Sequence, residues 1–174
     1  MSLEELKKSI IAESNRIEED AEHSFKGHFN SSEFWSHINL ALGLPAALLG
    51  AFAGGTSAAD GSQAAITGTA LLASALVTCM TFLKPSEKSD SHKNAGSFYQ
   101  ALRNQTRLFR EIDLEFEDDE KSIRKRLLEL SSRRDELNST MPSIPRAAYE
   151  KAKKDIDSGR ARYQVDKERI KDER

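Results

Sequence analysis

Two long stretches without formal charge limit the fold of this chain more than any motif does. Phe34 to Ala59 contains no Asp, Glu, Lys or Arg, and Gly61 to Leu83 contains none either, with Asp60 alone between them. As α-helices the two stretches are about 39 and 35 Å long, against roughly 30 Å for the hydrocarbon core of a bilayer. Mean hydropathy is roughly 1.5 over 40–59 and roughly 1.8 over 64–83, so the second stretch is the stronger membrane span. The competing interpretation is a buried helical hairpin inside a soluble bundle. The flanks are so densely charged that they offer little apolar surface to enclose two helices that are hydrophobic all round.

Charge also sets the expected topology. Of 26 Lys and Arg, four lie in 1–33, none in 34–83 and the remaining 22 in 84–174. Lys26 precedes the first stretch, and Lys84, Lys88, Lys93 and Arg103 follow the second, whereas the connector has no positive charge. Excess positive charge stays on the cytoplasmic side, so both termini are expected there, with the turn at 54–62 across the membrane. Gly54, Gly55, Gly61 and Ser62 are turn formers, which makes the spans antiparallel neighbours. Phe34, Trp35 and Phe82 suit the membrane interfaces. The acidic N-terminus resembles neither a signal peptide nor an Arg-rich transit peptide.

Residue faces on the spans suggest helix packing. Gly43, Ala47 and Ala51, and in parallel Ala46, Gly50 and Gly54, recur every four residues. Such stripes let backbones approach closely, and Gly43, Ala47, Gly50 and Gly54 are the candidate packing positions. Thr67, Ser74, Thr78 and Thr81 share one face of the second span and are candidate pore-lining residues. The alternative is that each hydroxyl bonds back to its own helix carbonyls. Pro45 lacks an N–H and is the candidate hinge.

The charged remainder is patterned on sevens. Leu102, Phe109, Phe116, Ile123, Leu130 and Leu137 are seven apart, with partial companions at Tyr99, Ile112 and Leu127 that fail near Asp119, Glu120 and Arg134. One long or once-broken helix, packing and oligomerising through this ladder, is expected. Leu3, Ile10 and Ile17 with Leu6 and Ala21 mark an N-terminal amphipathic helix, and Tyr149, Ile156, Tyr163 and Ile170 mark a C-terminal one. Between them Pro142 to Pro145 is a turn, with Ser143 as N-cap and Pro145 in the first helical turn. The expected fold is all-α: a cytoplasmic helix over 1–33, a transmembrane hairpin over 34–83 built from 34–59 and 61–83, and cytoplasmic helices over 84–174. The N-terminal and C-terminal helices then form a cytoplasmic bundle.

Catalytic chemistry is not legible. The sequence has no GxGxxG, phosphate loop, HExxH or GxSxG, and its lone Cys79 excludes an internal disulfide and a thiolate zinc cluster. No enzyme activity, cofactor or metal is expected. The acidic run Glu115, Glu117, Asp118, Asp119 and Glu120 lacks the spacing of a calcium loop, and pairing with Arg124, Lys125 and Arg126 is its simpler role. His23, His28 and His37 are too irregularly spaced for one metal-binding helix face, which leaves polar contacts. Cys79 is expected to pack as a small apolar residue. A net charge of −2 offers no electrostatic footprint for nucleic acid.

The order of parts, the stretch His92, Ala95, Phe98, Tyr99 and Leu102, and the later Pro142, Ile144 and Pro145 together resemble the SLATT family of two-span effectors in prokaryotic conflict systems. The resemblance covers nearly the whole chain and implies a multi-pass inner-membrane protein that oligomerises into a regulated pore in antiviral defence. Its implied partners are the lipid bilayer, further copies of the chain, and a nucleotide second messenger or a separate sensor protein. The resemblance carries no catalytic residues, and it makes His92, Ala95, Tyr99 and Leu102 scaffold positions, with Pro142 and Pro145 shaping the cytoplasmic fold. The rival expectation is a non-conducting membrane scaffold that recruits a partner through its cytoplasmic coiled-coil-like helices.

Overall fold

A computed structural model describes residues 3–59 and 61–159, so the expectations placed on Asp60, Tyr163 and Ile170 lie outside the described residues. Among the described residues every regular element is a helix. In order these are α1 (Leu3–Ala58), α2 (Gln63–Leu83), α3 (Pro85–Leu108), a π-helical segment (Phe109–Asp113), the short α4 (Leu114–Phe116), α5 (Glu120–Thr140) and α6 (Arg146–Asp157). The chain divides into two compact units, one formed by Met1–Ser31 with His92–Arg174 and the other by Ser32–Ser91. The sequence pattern separates residues 1–33 from 34–59, yet α1 is one helix of 56 residues. Pro45 lies inside it, with helix on both sides.

The first unit has a core of large apolar residues at heptad spacing. Leu6, Ile10, Ile17 and Ala21 of α1 join Tyr99, Leu102, Phe109, Leu114, Ile123, Leu130 and Leu137 in one cluster. Each helix carries a second, polar rail beside the apolar one. Ser14, Ala21 and His28 follow at sevens on α1, as do His92, Tyr99 and Thr106 on α3, and all six are buried. Thr106 bonds back to Leu102 O at 2.9 Å and Ser31 to Gly27 O at 2.8 Å, which satisfies hydroxyls that burial alone would penalise. Gly96 is a close approach: a Cβ there would lie 2.8 Å from the Phe29 ring.

Acidic residues of α1 clamp basic ones of the later helices. Glu18 receives Nε and Nη2 of Arg110 at 2.7 and 3.3 Å, and Arg103 lies 3.6 Å from Glu22. Arg134 reaches Glu13 at 3.9 Å and Asp20 at 3.5 Å. The uneven distribution of charge along the sequence is thus neutralised in part inside this unit.

The ladder of sevens breaks at Phe116. A π-helical turn holds one residue more than an α-turn, so the face rotates after Phe109 and Leu114 enters the core while Phe116 is left 83% exposed. The chain then turns at Glu117, and α5 starts afresh on Asp119, whose carboxylate accepts from the N–H groups of Lys121 and Ser122. The start of α6 also differs from expectation. Pro145, rather than Ser143, occupies the N-cap position, its carbonyl accepting from Ala148 and Tyr149 N–H. A residue before proline is pushed out of helical conformation, so Ile144 holds the helix off until Arg146.

The second unit packs differently. Within its two apolar helices the buried apolar residues are Ala46 and Ala53, and α2 buries no residue completely. Ile66, Thr69, Ala73, Leu76 and Met80 form the half-covered face of α2, again at spacings of three and four. Lys84 ends α2 in the left-handed conformation at φ 47°, its N–H bonded to Met80 O, and Pro85 opens α3.

Candidate functional site

Two groups of residues in this all-helical chain are candidates for function, one in each unit. In the hairpin unit, α1 and α2 are each long and apolar enough to cross a membrane. None of the apolar window of α2 is buried, and 11% of that of α1 is. Leu40, Leu44, Leu48, Phe52, Leu71, Leu72 and Val77 all point outward. A core helix of a soluble protein shows the reverse pattern.

Thr67, Ser74, Thr78 and Thr81 are exposed on the side of α2 away from its half-covered face. Thr78 Oγ1 donates to Ser74 O at 2.8 Å and Thr81 Oγ1 to Val77 O at 3.0 Å, so these hydroxyls are already satisfied within the helix. The small-residue row divides. Gly43 is half-buried, and a Cβ there would meet Met80 Cε at 3.2 Å. Ala47, Gly50 and Gly54 are exposed, with no atom within 4 Å of a Cβ built at Gly50 or Gly54. Close packing within the chain uses Ala46 and Ala53 instead, one position before and six after Ala47. Cys79 is exposed, not packed within the chain.

At the start of the first apolar stretch, Trp35 carries Lys88 Nζ 4.2 Å from its ring centroid. Ser32 and Ser89 lie nearby in sequence and bond to each other, Ser89 Oγ donating to Ser32 O at 2.9 Å. An aromatic ring, a lysine and two hydroxyls are groups that tolerate a half-wet, half-apolar boundary.

In the first unit the structure brings together His28 and His92, which are 64 residues apart in sequence. Their Nδ1 atoms are 2.9 Å apart, so one ring donates and the other accepts. The Tyr99 ring stacks on His28 with centroids 5.5 Å apart and donates its O–H to Asn138 Oδ1 at 2.8 Å. Burial and the neighbouring His92 push the His28 imidazole down to about 4, and burial also lowers His92 and raises Tyr99. The pair is therefore neutral at pH 7, and two N–H donors would face each other across the contact once both rings are protonated. The signal for this pair was the heptad register of His28 with Ala21 and of His92 with Tyr99; local histidine spacing misses it. Ala95 and Leu102 are buried on α3 beside His92 and Tyr99.

Other expected contacts are rearranged. Asp118 pairs with Lys7 at 3.1 Å and Arg126 with Glu129 at 3.1 Å, so among the described residues the acidic run does not pair with Arg124, Lys125 or Arg126. His23 stacks on Tyr149 with centroids 5.8 Å apart. Among the described residues no three His, Cys, Asp or Glu side chains converge to hold a metal ion. Of the expected oligomerisation ladder, Leu102, Phe109, Ile123, Leu130 and Leu137 are covered inside one chain, and Phe116 alone stays open. The chain matches no protein-family model, no curated protein and no solved structure.

Proposed function

We propose that this chain is a membrane protein that assembles from several copies into a regulated pore, with both termini on the cytoplasmic side. The observation that carries the proposal is the outward-facing apolar surface of the hairpin, which water would not tolerate and lipid would. Two spans cannot enclose a pathway, so the pore needs further copies, and the open row of Ala47, Gly50 and Gly54 provides a surface on which helices approach closely. The shared side of the termini is supported by the first unit, which draws on the chain before and after the hairpin. The resemblance to SLATT effectors supplies the setting: prokaryotic antiviral defence in the inner membrane, triggered by a nucleotide signal or a sensor partner.

Reconstitution into liposomes tests this directly. Triggered ion flux from an oligomer is the expected result, and a monomer that never conducts refutes it. Thr78→Leu should change conductance at least about twofold if the hydroxyl face is wet.

The satisfied hydroxyls of Thr78 and Thr81 favour a second reading, in which that face meets lipid and the protein is a non-conducting scaffold recruiting a partner through its cytoplasmic helices. In that case Thr78→Leu is silent, and toxicity on expression requires a second protein.

A further inference from the structure

Among the described residues, two surfaces of the first unit are exposed and opposite in charge. One is a knob around Phe116, at 83% the most exposed large apolar residue among those described in this unit. Glu111, Asp113, Glu115 and Glu117 surround it in sequence, and Asp113 and Glu115 have no ion-pair partner among the described residues. The other is the side of α5 turned away from Ile123, Leu130 and Leu137. It presents an open groove of about 690 Å³ whose lining includes Leu128, Lys121, Arg124 and Lys125, together with the Arg133–Glu136 ion pair and Glu129, which pairs with Arg126. Leu128 is 63% exposed, and the side chains of Lys121, Arg124 and Lys125 have no ion-pair partner among the described residues.

Each surface holds what the other lacks: an aromatic ring flanked in sequence by carboxylates, and a leucine floor beside three cations unpaired among the described residues, Lys121, Arg124 and Lys125. The charges are adjacent in sequence, yet the chain does not satisfy them internally. Asp118 and Asp119 are taken by Lys7 and by the first turn of α5, and Arg126 by Glu129.

We infer that the first unit binds a second copy of the chain head to tail, the Phe116 knob of one copy seated on the Leu128 groove of the next. The inference rests on the multi-copy reading of the preceding subsection and gives it a contact. Joining two different patches is a heterologous interface, which repeats from copy to copy until it closes into a ring or runs on as a filament. Copies inserted in a membrane with one topology are related by rotation about the membrane normal, so the head-to-tail contact favours the ring. The apolar pair supplies burial, and the charges select the partner face and make the contact salt-sensitive.

The experiment uses the full chain in detergent, with Cys79→Ser as background. Phe116→Cys and Leu128→Cys copies, one of them carrying a size tag, are co-expressed and oxidised. The expected result is a disulfide-linked dimer joining a Phe116→Cys copy to a Leu128→Cys copy, with little product from either variant alone. Lys125→Glu on the Leu128→Cys copy should lower the yield roughly fivefold, and Glu115→Lys on the opposing copy should restore it. Self-linked Phe116→Cys dimers in place of mixed ones overturn the head-to-tail contact, as does an oligomer by mass that gives no mixed product; in both cases the multi-copy reading survives. A chain that is monomeric by mass overturns both.

Discussion

The two units use the same apolar residue types in opposite ways. The first buries Leu, Ile, Phe and Tyr at heptad positions and turns charge outward, whereas the second buries Ala46 and Ala53 and turns most of its leucines and phenylalanines out. In water, apolar area drives the packing at about 25 cal/mol per Å², so large side chains go inside. In lipid that drive is absent between helices, and close contact of small residues takes its place. The contrast teaches that hydrophobicity alone does not separate the units; the placement of large and small apolar residues does.

Truncation should break the symmetry between them most sharply. Leu130→Ala removes a buried ladder residue and is expected to destabilise the first unit by about 3 kcal/mol, whereas Leu72→Ala, exposed on α2, should change stability by less than about 0.5 kcal/mol. Chemical unfolding in detergent, followed by circular dichroism, measures both. Comparable losses would mean that the hairpin has an interior like that of the first unit.

Acid should act next most strongly, and on the first unit. His28 titrates near 6.5 when unfolded and at about 4 when folded, so the unfolded chain binds more protons between those values. Stability from this group is complete above pH 6.5 and is lost as the pH falls towards 4, a total of about 3 kcal/mol. His28→Gln should flatten the stability profile across that window. An unchanged slope would show that the imidazole pair does not govern it.

A smaller effect tests the joint after α2. Lys84 sits at φ 47°, where a side chain costs roughly 1–2 kcal/mol and glycine does not. Lys84→Gly should therefore raise stability by about 1 kcal/mol, seen as a shift in the unfolding midpoint of the detergent-solubilised protein.

Much of this was legible in the sequence. The charge-free stretches marked both long apolar helices, and the sevens marked Leu102, Phe109, Ile123, Leu130 and Leu137. Phe116 failed because a π-turn is a local backbone choice that inserts one residue of phase, and no composition signal announces it. The His28–His92 contact failed for a different reason. Each histidine is readable as a buried rail position, but their meeting depends on the register between two helices far apart in sequence. The continuity of α1 was hidden because the change from charged to apolar sequence looks like a boundary, although residues 27–37 contain no proline to end a helix.

The discontinuous first unit has a consequence for biogenesis. Its core needs Leu6, Ile10 and Ile17 from before the hairpin and Leu130 and Leu137 from after it, so it cannot close while synthesis is still within the two apolar helices. An insertion in which only one span crossed would strand the two halves of the core in different compartments, each with an uncovered apolar stripe. On the proposed two-span reading, completing the unit would act as a proofreading step on membrane insertion: a chain that folds there has returned to the side from which it started.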